Sequence, residues 1–377
     1  MSTAPRRAAR TTEAEADRDP LSSASQWSLM WRKFRRHKLA VVSLYLLGLF
    51  YLAAAFSEFV SPQDIARRNN DYVYAPPQRI RFVDADGSFR LRPFVYGLDK
   101  SLDPETLREI YTVDTAQRFD IYFFVRGDPY QFWGLVPMDL HLFGTREQVL
   151  YLLGADRFGR DLLSRLITAS RISLSVGLVG IAISFVIGCL LGGVSGYFGG
   201  PVDMFIQRLI EFLQSIPGIS LWAALAAALP PTWGPLQRYF VILLILSILA
   251  WTGLARTVRG KLIVQREEDY AMAARIAGAG DMAIILRHLL PAFMSYLIVH
   301  LTFAIPGMIL GETALSFLGL GLRAPVVSWG VLLQDAQNIR TIVVNPWLLT
   351  PALFVIVVVL LFNFLGDGMR DAADPYK

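Results

Sequence analysis

Four histidines, a single cysteine and one Gly-Lys pair are the residues of this chain from which chemistry could be assembled. His37, His141, His288 and His300 are scattered, and none has metal-ligand spacing. Gly260-Lys261 could belong to a phosphate cradle, but the upstream glycine and the following hydroxyl are missing, so ATP hydrolysis by that route is excluded. No paired-carboxylate or Ser-His-Asp arrangement can be argued. Cys189 lies inside an apolar run with no second cysteine to pair with. The expectation is no catalytic residue, no metal ligand and no cofactor on this chain, which does not read as an enzyme.

The informative residues are polar or small groups inside apolar sequence. Arg208 and Glu211 lie one helical turn apart with Asp203 nearby, and Glu312 and Asn363 sit in other apolar runs. Charge in lipid is costly, so such groups pair with one another or face a wet interior. These four, Arg208, Glu211, Glu312 and Asn363, are the candidate pathway or intramembrane polar residues. Ser184, Gly188, Gly192, Gly196 and Gly200 recur at every fourth position, a stripe along which another backbone can approach closely. Gly188, Gly192 and Gly196 are the candidate packing residues, either in a fixed contact or at a moving interface. Pro217-Gly218 and Pro306-Gly307 free backbone groups and permit bends.

Composition says what must hold these groups. Of 377 residues, 54% are hydrophobic and only 18% charged, against about 25% in a soluble domain. Disorder and a disulfide-stapled fold are excluded. Six apolar runs of about 20 residues predict an all-α polytopic membrane protein, with spans at 39–60, 172–191, 206–229, 239–254, 293–317 and 347–365. Barrel-type alternation is absent. The run 39–60 reads as a signal-anchor helix rather than a cleaved signal peptide. Before it, 1–38 combines a polar tail with Trp27, Trp31, Arg32, Lys33, Arg35, Arg36 and Lys38, an interfacial basic helix. The net charge of +5 is used in orientation rather than on nucleic acid. Basic residues cluster before the first span and between the fourth and fifth, which puts both termini in the cytoplasm and 61–165 outside.

That outer segment predicts a small strand-containing insertion. Asp84-Ala85-Asp86-Gly87-Ser88 reads as a hairpin turn, and 121–125 as a second short strand ending at Arg126-Gly127-Asp128-Pro129. Contact with a delivery protein and a decorative insertion both remain open for it. The expected organisation is a tail and basic helix at 1–38, the first span at 39–60, the insertion at 61–165, a permeation core at 166–371 containing a cytoplasmic loop at 257–292, and a tail at 372–377. Within that loop, 267–291 is rich in alanine. It predicts a short helix, a break at Gly278 and Gly280, and a second helix feeding the fifth span. A small-residue helix below the membrane suits docking into a partner's groove.

This segment resembles the coupling loop of ABC importer permeases, whose pattern is Glu-Ala-Ala-x3-Gly-x9-Ile-x-Leu-Pro. Ala273, Ala274, Gly278, Leu290 and Pro291 fall in register, with Met272 in place of Glu and His288 in place of Ile. The first departure is familiar in the dipeptide/oligopeptide branch. Gly154-Ala155-Asp156-Arg157-Phe158-Gly159-Arg160-Asp161, followed by Ser164-Arg165, resembles that branch's motif before the second span. Gly196-Tyr197-Phe198-Gly199-Gly200-Pro201-Val202-Asp203, Leu315-Ser316-Phe317-Leu318-Gly319-Leu320-Gly321, Ser328-Trp329-Gly330 and the terminal Gly366-Asp367-Gly368-Met369-Arg370-Asp371-Ala372-Ala373-Asp374-Pro375 match its later motifs. The likeness spans 153–376 and the N-terminal anchor.

The resemblance implies the C-type permease subunit of a peptide-class importer in the bacterial inner membrane. It implies a second homologous permease, two cytoplasmic ATPase subunits carrying ATP and magnesium, and an extracytoplasmic substrate-binding protein, with membrane lipid as the other partner. The coupling residues carried over are Met272, Ala273, Ala274, Gly278, Gly280, His288, Leu290 and Pro291. Nickel complexes, opines and oligosaccharides are alternative cargoes in the same branch. A secondary transporter is the reading from another class. It would need ion-binding residues at mid-depth, whereas Arg208 and Glu211 lie towards a span end.

Overall fold

Apolar runs become helices in this chain because a helix satisfies its own backbone hydrogen bonds where no water can. The computed structural model describes residues 26–102, 104–105, 109–147 and 149–373. The expected tail at 1–25, and 374–377 with Asp374 and Pro375 of the terminal motif, lie outside the described residues. The N-terminal helices are α1 (Gln26–Arg36), α2 (Lys38–Ala55) and the single turn α3 (Ser57–Val60). His37 separates the first two and caps the second, its Nδ1 accepting from Ala40 N–H at 3.2 Å. Phe34 on α1 is buried with Ala40 and Ala372, so the basic helix is seated on the last helix of the chain.

The insertion is a pair of antiparallel sheets. One contains β1 (Arg81–Val83), β2 (Phe89–Leu102) and β3 (Glu109–Asp120), and the other β4 (Tyr122–Phe132) and β5 (Val136–Gly144). The hairpin turn at Asp84–Ser88 is where β1 meets β2. The strand expected to stop before Arg126 instead runs on as β4 to Phe132. A register shift between Arg126 and Tyr130 admits Pro129, which has no N–H to give to the ladder.

Beyond the insertion come α4 (Leu162–Phe198), α5 (Gly200–Gln214), α6 (Gly218–Ala227) and α7 (Pro235–Gln265). The loop after α7 contains α8 (Asp269–Ile276), α9 (Asp281–Ala283), a π turn at Ile284–Leu289 and α10 (Leu290–Ala292). Then follow α11 (Met294–Phe317), the short α12 (Trp329–Leu332) and α13 (Ile339–Val344), and α14 (Thr350–Ala373). Among the described residues, five helices are long and apolar enough to cross a membrane, and the bent pair α5–α6 makes a sixth if its arms count as one span.

Three spans differ from their expected form: α7 runs past the expected end at 254 to Gln265, inside the range expected for the loop, and two others depart further. The run 206–229 is not a straight helix: α5 and α6 meet at an 82° bend. Pro217 lacks an N–H and disfavours helical geometry at Ile216, so the helix cannot pass through. The second helix begins at Leu162, ten residues before its apolar run and inside the range expected for the insertion. Asp161 starts it by accepting from Leu163 and Ser164 N–H at 3.3 and 2.7 Å. Hydropathy registers only the stretch that would meet lipid and is blind to the polar turns at either end.

Helix α4 is the centre of the bundle, packed along α7 and against α2 and α11. Its glycine stripe lies on α7. A Cβ at Gly188 would sit 2.9 Å from the Leu254 side chain, at Gly192 2.4 Å from Ala255 O, and at Gly196 2.7 Å from Arg259 O. Ser184 continues this face, fully buried, with its hydroxyl returned to Gly180 O at 3.0 Å. The segment before α4 is fixed by Asp156, which is buried and accepts from Arg160 Nε at 2.7 Å, from Phe158 N–H at 2.8 Å, and from Arg165.

Candidate functional site

The loop after α7 returns to the end of α4. Three contacts hold it. At the end of α4 the last carbonyls have no partner inside the helix. Arg266 supplies one, its Nη1 donating to Gly196 O at 3.3 Å and Tyr197 O at 3.1 Å, where a cation also complements the helix dipole. The Tyr197 hydroxyl then bridges the loop, accepting from Arg275 Nη2 at 3.1 Å and donating to Asp281 Oδ1 at 2.8 Å. Arg275 also stacks over the Tyr197 ring, and this hydrogen bond raises its already high pKa. Beneath the loop an apolar cluster of Tyr197, Leu254, Val258, Leu262, Ala271, Ile284, Ile285 and Leu289 is closed to solvent.

Helix α8 therefore has two faces. Ala271 is buried and Ala274 packs against the apolar cluster. The opposite face shows Tyr270, Met272, Ala273 and Ile276, the last 88% exposed. Ile276 thus stands bare at the end of a helix whose other face is closed by the apolar cluster. The helix ends at Gly278, whose φ of +83° suits glycine and reverses the chain. Gly280 precedes α9 in extended conformation. Leu290 is buried, while His288 and Pro291 are exposed on the path into α11.

The polar candidates scatter. Arg208 and Glu211 pair with each other at 2.8 Å on the outside of α5, both largely exposed. Asp203 turns instead to α7, where Arg259 donates to its two oxygens at 2.6 Å and Ser195 adds a third bond. Glu312 is fully enclosed and accepts from Ser316 and Ser328 hydroxyls at 2.7 Å each. Ser328 caps α12, so Glu312 fixes the link between α11 and α14 rather than lining an open surface. Asn363 is half-buried on α14. Sequence reasoning missed Tyr197, Arg266, Arg275 and Asp281 as the loop's clamps. Their types are ordinary, and only the return of the loop to the end of α4 brings them together.

The comparisons with known proteins meet this geometry. Residues 184–376, half of the chain, match the family model of the binding-protein-dependent transport system inner membrane component. The chain belongs to this family. Residues 25–77, the stretch containing α1 and α2, match the N-terminal transmembrane domain of oligopeptide transport permease C. The dipeptide transport system permease protein DppC of Lactococcus lactis is 32% identical over 92% of this chain and 89% of its own length. The oligopeptide transport system permease protein OppC of Haemophilus influenzae is 41% identical over 60% of this chain and 70% of its own. Among solved structures the chain is similar to the inward-facing MetNI methionine ABC transporter, at 19% identity and a TM-score of 0.43, over 56% of this chain and 98% of that one.

As a member of this family the chain is a C-type permease subunit of an ATP-driven ABC importer, multi-pass in the inner membrane, and a transport component rather than an enzyme. Membership brings ATPase and substrate-binding components as its partners.

Proposed function

We propose that this permease carries peptides or related small solutes inward by alternating access, and that α8 is the element through which ATPase subunits drive it. The exposed face of α8, with Ile276 at its tip, carries the reading. A partner groove that covers this face gains apolar burial, and the Tyr197 and Arg266 contacts pass its displacement to α4. Met272, Ala273, Ala274, Gly278, Gly280, His288, Leu290 and Pro291 form the coupling loop in this reading, and nucleotide and magnesium belong to the two ATPases.

The same reading counts α5–α6 as one crossing. Six crossings place both termini on one side, and the basic residues of α1 and of the loop after α7 make that side cytoplasmic. The assembly contains a second homologous permease. A crevice of about 640 Å³ lined by Lys261, Tyr296, His300, Phe303 and Arg370 opens between α7, α11 and α14 near the loop, and the second permease would close its open side. The cap built on 61–165 then faces the substrate-binding protein, and the peptide names of the relatives support peptides as cargo.

The test is crosslinking in the reconstituted transporter. A cysteine at Ile276 joined to an ATPase subunit, with a yield that changes between nucleotide-free and ATP-bound states, is the expected result. Uptake that continues with the ATPases removed, driven by an ion gradient, would overturn the proposal in favour of a secondary transporter.

A further inference from the structure

The two described hairpin turns of the cap have opposite chemistry. The β1–β2 turn is Asp84-Ala85-Asp86-Gly87-Ser88, as water demands. The β4–β5 turn is Phe132-Trp133-Gly134-Leu135-Val136, and from Tyr130 to Met138 there is no charged residue at all. Its side chains are bare: Leu135 is 83% exposed and Trp133 58%. The turn is tight, with Trp133 at φ +53° and Gly134 at φ +71°. Hairpins of this shape ordinarily place Asn or Gly where the tryptophan stands. An indole in the left-handed region needs a reason to be there.

Its surroundings supply one. Trp133 Nε1 donates to Ala55 O, the final carbonyl of α2, at 2.9 Å. Phe132 stacks on Phe56, with ring centroids 5.8 Å apart. Arg171 lies 5.0 Å over the Trp133 ring and donates to Ala54 O and Ala55 O at 3.0 Å. Arg171 is also the last charge before the apolar run of α4, just as Ala55 is the last residue of the apolar helix α2. Both helices therefore leave hydrocarbon at the level of this turn. The exposed side of α2, with Leu49 and Leu52, leads to the exposed Phe56 and from there to the hairpin.

We propose that the β4–β5 turn is a membrane anchor, with Trp133, Leu135 and Val136 set into the interfacial layer of the bilayer beside α2. The occupant is lipid, because the turn continues a helix surface that lipid already covers. Tryptophan is the residue suited to that depth, with an apolar body and one donor at its edge. The anchor pins one sheet of the cap to the membrane plane. The other sheet, with its polar turn, stands in water. The inference does not depend on which side of the membrane carries the cap, nor on the cargo.

The experiment uses the complete transporter in phosphatidylcholine nanodiscs. Single cysteines replace Leu135 and, as the reference, Ser88, each labelled with an environment-sensitive fluorophore. Cys189 is buried in α4 and stays, with the unsubstituted protein measured as background. A nitroxide near the top of the acyl chain should quench the label at Leu135→Cys at least about fivefold more than that at Ser88→Cys, while aqueous cobalt should do the reverse. Val136→Cys repeats the measurement should Leu135→Cys fail to assemble. Quenching by cobalt at both positions equally would overturn the proposal, as would shielding of the Leu135 label from both quenchers, which would mean that a protein covers the turn.

Discussion

The Tyr197 hydroxyl donates to Asp281 Oδ1 at 2.8 Å, joining the end of α4 to the part of the loop after α7 that lies beyond Gly278. The same oxygen accepts from Arg275, so one phenol holds both arms of the loop. Tyr197→Phe removes both bonds and keeps the packing, at about 1 kcal/mol each. Amides of 273–289 should then exchange with solvent roughly five- to thirtyfold faster while those in the middle of α4 do not change. More ATP should also be spent for each solute imported. Unaltered exchange in the loop would show that the apolar cluster alone holds it.

Ile276 tests docking without disturbing the fold. It touches little, so Ile276→Glu should change stability by no more than about 0.5 kcal/mol. Uptake should nonetheless fall by an order of magnitude or more, as about 1.5–3 kcal/mol of apolar burial in the partner groove is lost. Gly278→Asp and Ala274→Arg should uncouple hydrolysis from uptake as well. Gly278→Asp carries about 1–2 kcal/mol of backbone strain at φ +83°, and Ala274→Arg presses a guanidinium onto the apolar cluster beneath the loop, so both are less specific probes than Ile276→Glu. Uptake and ATPase rates in proteoliposomes decide between these outcomes.

Gly192 marks the closest approach of α4 to α7. Its Cβ would meet Ala255 O at 2.4 Å, and a backbone atom cannot swing aside. Gly192→Ala should cost about 1–3 kcal/mol and lower the unfolding temperature in detergent. Gly48, with open space around it on α2, is the control. Its replacement by alanine should be neutral or stabilising by up to about 1 kcal/mol.

Asp156 is buried with Arg165 and Arg160 about it. Asp156→Asn keeps the shape but leaves the Arg165 charge unanswered, a loss of about 3–5 kcal/mol. The variant should be recovered in low yield and unfold at a lower temperature. A variant as stable as the parent would mean that Asp335, which already meets Arg157 at 3.1 Å, takes over the charge.

Asp84 at the polar cap turn is held well below the usual carboxylate range, first by the Tyr96 hydroxyl at 2.6 Å, then by the Ala85 N–H and by Arg118 at 2.8 Å. Its folded pKa lies below its unfolded one. Its contribution is complete above about pH 4 and is lost as the pH falls towards the depressed value. Protection factors of the β1 and β2 amides, with the intrinsic pH dependence of exchange divided out, should fall as the medium is acidified from pH 5 to pH 3, and Asp84→Asn should remove that dependence.

The apolar spans were legible because lipid imposes a simple rule on composition, and the helix, break and helix of the loop after α7 because its small residues and glycines stand at fixed spacing. The bend at Pro217 was only half legible: a proline announces a break, but the angle depends on where α6 packs. The polar turns of α4 outside hydrocarbon carry no hydropathy signal. Strands β3 and β5 were missed for a related reason. Their outward faces are exposed in a thin cap, so the alternation that marks a half-buried strand is weak in them. The pairing of Asp203 with Arg259 follows from packing between helices, which local spacing does not encode.

Helix α4 runs without interruption for 37 residues, about 55 Å, nearly twice the thickness of the hydrocarbon layer. One end is capped by Asp161 beside the buried Asp156, and the other finishes on the Tyr197 hydroxyl. A stiff see-saw of that length couples its ends: a tilt of about 5° about its middle sweeps each end through roughly 2 Å, in opposite directions. The Tyr197 end and the Asp161 end are then parts of one solid body, and a rotation imposed at one is carried to the other.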